Sequence, residues 1–152
     1  MRKLASLKKS NPGKFIITFM MIFFVFIYIR NSRIQNDILT NGKNVVVKFV
    51  KIKSYPKTTD FYFSYYINDS LLTTSGSGIK YDIFNSEKET QAINDLKIGA
   101  YYLARFNPKY PNIIIVNPNK RIVDTLEIEK FGFNMKEEKK ENWQKELFSE
   151  TK

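Results

Sequence analysis

Residues 61–74, Phe61-Tyr62-Phe63-Ser64-Tyr65-Tyr66-Ile67-Asn68-Asp69-Ser70-Leu71-Leu72-Thr73-Thr74, decide the reading of this chain. A strand projects alternate side chains to opposite faces. Phe61, Phe63, Tyr65 and Ile67 therefore share one face and read as core, while Tyr62, Ser64 and Tyr66 share the other. Asn68-Asp69 tolerates positive φ and suits a two-residue hairpin turn, so Ser70–Thr74 returns as the partner strand.

Working back from the hairpin, Val45–Lys53 is rich in β-branched residues and reads as another strand. Unbroken alternation puts Val45, Val47 and Phe49 on one face and Val46, Lys48, Val50 and Ile52 on the other. Ser54–Asp60, with Pro56, is a loop. Working forward, Ser75–Gly78 breaks the chain and Ile79–Phe84 suggests a short extended piece. Ser86 with Glu89 three residues on is a capping box, opening a short helix over about 87–96 with Ala92, Ile93 and Leu96 as its apolar side. Ala100–Phe106 and Ile113–Val116 read as strands, the second ended by Asn117-Pro118-Asn119. Arg121–Glu129 fits a strand or a helix face. From Asn134 the chain is charge-dense and suits a solvated helix or a tail.

Upstream lies Phe15–Ile29, FIITFMMIFFVFIYI, fifteen residues without a charge. As a helix it covers about 22 Å of a roughly 30 Å hydrocarbon core. Lys14, Arg30 and Arg33 flank it, where long basic side chains reach the membrane interface. Asn11-Pro12 suits a helix start, and Ile34, Ile38 and Leu39 extend an apolar stripe, so the helix is expected to run over 12–39. A cleaved signal peptide is the rival reading, but no small-x-small site follows the run. Five Lys/Arg precede the span without an acid, which favours a cytoplasmic N-terminus and a single pass, with the C-terminal domain on the far side.

The net charge of +10 is concentrated next to that span. Residues 1–14 carry five basic groups and no acid, and residues 30–60 carry seven against Asp37 and Asp60. Basicity there suits anionic headgroups better than the folded face of a nucleic-acid binder. The chain has neither Cys nor His, which excludes thiol nucleophiles, disulfides, the usual zinc sites and histidine acid–base catalysis. Asp60, Asp69 and Asp82 fall in turns, and Glu137, Glu138, Glu141 and Glu146 alternate with lysines as solvated helix pairs. Ser75–Gly78 lacks the Lys-Ser/Thr ending of a phosphate loop. No catalytic, metal or cofactor site is expected.

The run Gly99-x-Tyr101-x-x-x-Arg105-Phe106-Asn107-Pro108-Lys109-x-Pro111 carries a resemblance. It resembles a broad bacterial family of uncharacterised, single-pass membrane-anchored small β-domains, which share a glycine-led strand running into a Pro-x-x-Pro turn. The block is Ile98 to Val116, with a looser match back to Gly42, about half the chain. Asn68-Asp69 stands where the family usually has a glycine, and the charged segment after Val123 is extra. The resemblance implies a curled antiparallel sheet or barrel on a membrane stalk. It carries no agreed activity and no site residues.

The expected architecture is thus mainly β (α+β overall): a basic tail (1–14), a transmembrane anchor (15–29), a stalk (30–42), a small β-domain (43–123) and a charged, partly helical tail (124–152). The expected function is a non-catalytic, membrane-tethered binding or accessory module of the cell envelope. Its partners would be the lipid bilayer and another envelope protein, engaged through exposed Tyr62, Tyr66 and Tyr102. The alternative is a cytosol-facing domain whose basic first strand, with Lys48, Lys51, Lys53 and Lys57, contacts anionic lipid or nucleic acid.

Overall fold

A computed structural model describes residues 12–82 and 84–136, and for residues 12–14 the backbone alone. The basic tail before Pro12 and the charged tail from Glu137 lie outside the described residues. Two compact units divide the chain, one ending at Asn36 and one beginning at Asp37.

The first unit is most of a long helix, α1 (Pro12–Asn41). Proline at its first position loses no helical hydrogen bond, because that N–H has no partner in any helix. From Phe15 to Ile29 every side chain is exposed, a face that only an apolar environment would cover. It is the one helix among the described residues long and apolar enough to cross a membrane.

The second unit takes in the last turn of α1 and an antiparallel sheet of β1 (Lys43–Tyr55), β2 (Thr58–Ile67), β3 (Ser70–Thr74), β4 (Tyr101–Phe106) and β5 (Ile114–Ile122). Their order in the sheet is β3-β2-β1-β4-β5. Two short helices, α2 (Glu87–Asn94) and α3 (Thr125–Lys130), complete the α+β architecture. The sheet is open but curled. Past β3, Gly76 meets Ile113 in a parallel bridge, and Ile114 N–H donates to Gly76 O at 2.8 Å.

Local chemistry sets the joints. Gly42 follows α1 directly, and a Cβ there would lie 2.2 Å from Ile38 O, so only glycine lets the chain turn from helix into β1. Asn68 and Asp69 take φ of 48° and 61°, and Ile67 pairs with Ser70, which is the two-residue hairpin expected. The Ser86–Glu89 capping box is complete.

The inner face of the sheet carries the main core: Val45, Val47, Phe49, Phe61, Phe63 and Tyr65, closed by Ile93 and Leu96 around α2. Phe49 stacks on Phe63 at 4.9 Å, and Tyr65 OH donates to Pro111 O at 2.6 Å. The outer face carries a smaller core in which Val46, Tyr101 and Ile122 receive Ile128 and Phe133. Asp124 caps α3 and starts it at Thr125, so Arg121–Glu129 divides between the two readings: Arg121 and Ile122 end β5, and the helix begins at Thr125. The chain just past Val123, set apart by its charge, in fact packs on the sheet as far as Phe133.

Three details depart from simple alternation. First, β1 pairs Phe49 with Phe63 but Lys51 with Tyr62, leaving Val50 as a bulge. Past it the faces exchange: Ile52, paired with Phe61, joins the inner face, and Lys51 and Lys53 join the outer face with Lys48. Second, β5 does not stop at Asn117. Val116 pairs with Ala104 and Arg121 with Tyr102, so residues 117–120 bow out and the strand resumes. Third, 79–82 forms no strand; Gly76 alone extends β3's line to β5.

Candidate functional site

The inner core ends before β1 and β2 do. From Lys51 to Thr58 every residue is exposed, on both faces of the two strands. This distal ribbon, closed by the turn at Pro56-Lys57, contributes little to the hydrophobic interior.

Its outer face alternates lysine with tyrosine because of the Val50 bulge. Lys48 lies over the Tyr101 ring at 5.7 Å, Lys51 over Tyr62 at 4.6 Å and Lys53 over Tyr55 at 5.0 Å. Each ammonium is attracted by the ring quadrupole, about 0.5–1 kcal/mol at an exposed site. Hydrogen bonding to Tyr55 raises the Lys53 ammonium above its ordinary pKa, and desolvation raises the Tyr62 phenol. Both shifts hold the proton on, so at neutral pH the Lys53 ammonium stays charged and the Tyr62 phenol neutral. Asp60, paired with Lys53, is the face's one acid.

Neither ribbon strand is flanked along this length. On the side of β1 away from β2, pairing with β4 ends at Lys48–Tyr101, followed by Phe49 N–H to Ala100 O at 2.9 Å and Gly99 N–H to Phe49 O at 2.7 Å. Among the described residues nothing pairs with that edge from Val50 to Tyr55. Ile98, exposed, sits where the edge opens.

The tyrosines singled out from sequence separate. Tyr62 is half-buried in the ribbon face. Tyr66 is also half-buried, its ring 5.1 Å from Phe133 and close against Gly132. Tyr102 is a correction. It is 2% exposed on the inner face, edge-on to Phe63 at 6.3 Å, and its OH accepts from Lys97 N–H at 2.9 Å. Pairing with Val47 turns it inward and leaves Tyr101 on the outer face. Tyr102 is therefore no part of an exposed surface. Arg30 and Arg33 lie on α1, both exposed, at the polar end of its apolar run; the Lys14 side chain lies outside what the structure describes.

A concavity of about 630 Å³ lies beside the residues bowing out of β5, between Ile79 and Asn117. Several of its polar groups are already engaged. Arg105 Nη2 donates to Gly42 O at 2.6 Å, Asn85 Nδ2 to Lys80 O, and Asn117 Oδ1 accepts from Asn119 N–H. Arg105 Nε is unpaired but buried, beyond reach of a ligand in the cleft. No group of three or more potential metal-ligating residues occurs among the described residues.

No family model, curated protein or solved structure matches the chain.

Proposed function

We propose that this chain is a membrane-tethered, non-catalytic binding module of the cell envelope, its basic N-terminus cytoplasmic and its β-domain on the far side. The Lys–Tyr face of the β1–β2 ribbon is its binding surface, and that face is the observation that carries the reading. Exposed Lys51, Lys53 and Tyr55 lie outside the core and do little for folding, whereas tyrosine is favoured at interfaces. The apolar length of α1 and the basic residues around it support the tether. The resemblance to membrane-anchored β-domains supports the same architecture.

A second reading has one observation in its favour. By gathering Lys48, Lys51 and Lys53 on one face, the bulge makes a surface suited to anionic lipid or nucleic acid if the domain is cytosolic.

The test is site-specific photocrosslinking of the full chain in its native membrane. A benzophenone side chain at exposed Thr58, paired with Tyr55 on the Lys–Tyr face, is expected to give a discrete protein adduct, and the same group at Lys88 on α2 is not. Absence of any adduct from Thr58, or equal adducts from both positions, would remove the ribbon as the binding surface.

A further inference from the structure

We infer that β1 accepts a sixth strand: an extended acidic segment of a partner protein, docked along Val50–Tyr55 where β4 stops. The inference rests on the binding-module reading and specifies its partner.

An edge strand presents unpaired N–H and C=O groups that template another strand. The vacant edge of Val50–Tyr55 continues the line of β4, so a docked segment would enter beside Ile98 and extend the existing ladder. Residues directly opposite across a ladder lie about 4.5–5.5 Å apart. Side chains of the new strand would then face Lys51 and Lys53 on the outer side and Ile52, 46% exposed, on the inner side. The complement is an acidic–apolar–acidic alternation. Each acid would draw a lysine between itself and a tyrosine ring, adding an ion pair to the cation–π contact already made.

The same residues disfavour other occupants. A second copy pairing through this edge would set lysine against lysine, and like charges directly opposite are destabilising. A bilayer supplies anionic groups but cannot satisfy the open row of backbone donors and acceptors, which would be costly in its apolar region.

The experiment uses the full chain in detergent micelles. The probes are a peptide alternating glutamate with valine, a peptide of identical composition with its glutamates grouped, and phosphatidylglycerol–phosphatidylcholine vesicles. The alternating peptide is expected to slow amide exchange across residues 50–55 and to bind less tightly as salt rises. Lys51→Glu with Lys53→Glu is expected to weaken it roughly tenfold or more. Both lysines are exposed, so circular dichroism of the double variant should match the parent. Equal binding of the grouped peptide, or exchange protection confined to another edge, would overturn strand addition. Lysine-dependent binding of vesicles without binding of the alternating peptide would assign the surface to lipid instead. If the Thr58 crosslink persists while the peptide fails, the binding module stands and strand addition falls; if both fail, both readings fall.

Discussion

The phenol of Tyr110 donates to Asp37 Oδ2 at 3.1 Å across 73 positions of sequence. Lys109 Nζ reaches the same oxygen at 3.3 Å, and Asn41 Nδ2 donates to Oδ1 at 2.7 Å. The first two hold the last turn of α1 to the turn between β4 and β5, beside the buried Ile38, and the third stays within α1. Asp37→Ala removes all three and is expected to lower the melting temperature by a few degrees. Tyr110→Phe, which removes one, should lower it less. Differential scanning calorimetry checks the order, and equal effects would make Tyr110 the sole anchor.

Phe63 lies at the centre of the inner core, fully buried between Phe49 and Tyr102. Phe63→Ala should cost about 3–5 kcal/mol, the usual range for a buried phenylalanine. Tyr65→Phe keeps the ring and loses only the bond to Pro111 O, so about 0.5–1.5 kcal/mol is expected. Denaturant unfolding measures both; a cost below about 1 kcal/mol for Phe63→Ala would contradict the burial seen.

Glu89 gives a pH signature. The Ser86 backbone N–H, with the Ser86 hydroxyl, holds its carboxyl below the ordinary carboxylate range. A depressed folded pKa contributes stability above the unfolded value of about 4.3, and that stability is lost as pH falls through the folded value. Glu89→Gln keeps an acceptor and removes the charge. The melting-temperature gap between the two proteins should be constant from neutral pH to about 5 and close in stronger acid. A gap that widens on acidification would refute the assignment.

How much of this could be read beforehand depends on how local each determinant is. The Asn68-Asp69 turn and the Ser86–Glu89 box are decided by residues within four positions, and both read correctly. The ribbon face did not, because the Val50 bulge is set where Gly99 and Ala100 hydrogen-bond Phe49, some fifty positions away in sequence. Nor can sequence choose between adjacent Tyr101 and Tyr102, since either could face inward until pairing with Val47 is known. Pro118 reads as a strand end, yet β4 offers Tyr102 as a partner to Arg121 beyond it. The apolar run in α1 was legible by composition alone.

Topology is open to direct measurement, since the chain has no native cysteine. A cysteine at exposed Ser70 should react with an impermeant thiol reagent in intact cells, and one at Ser6, outside the described residues, should not. The chain should also stay with membranes through carbonate extraction. The reverse labelling pattern would favour the cytosolic reading, and release by carbonate would remove the tether.

The bulge at Val50 also divides β1 into two stretches that tolerate change differently. Were Val50 drawn into the ladder opposite Tyr62, the period of two would run on unbroken and turn the ribbon inside out, with Lys51 beside Phe61 and Ile52 on the outer face; deleting Val50 would instead leave Lys51 on Tyr62 and Ile52 on Phe61. Substitutions that straighten the bulge should therefore be purged by selection, whereas deletion of Val50 itself should be tolerated. The tip from Ser54 to Thr58 carries no such constraint, because nothing in the interior depends on it. Among descendants of this sequence, partner choice could drift at the tip while the register set at Val50 stays frozen.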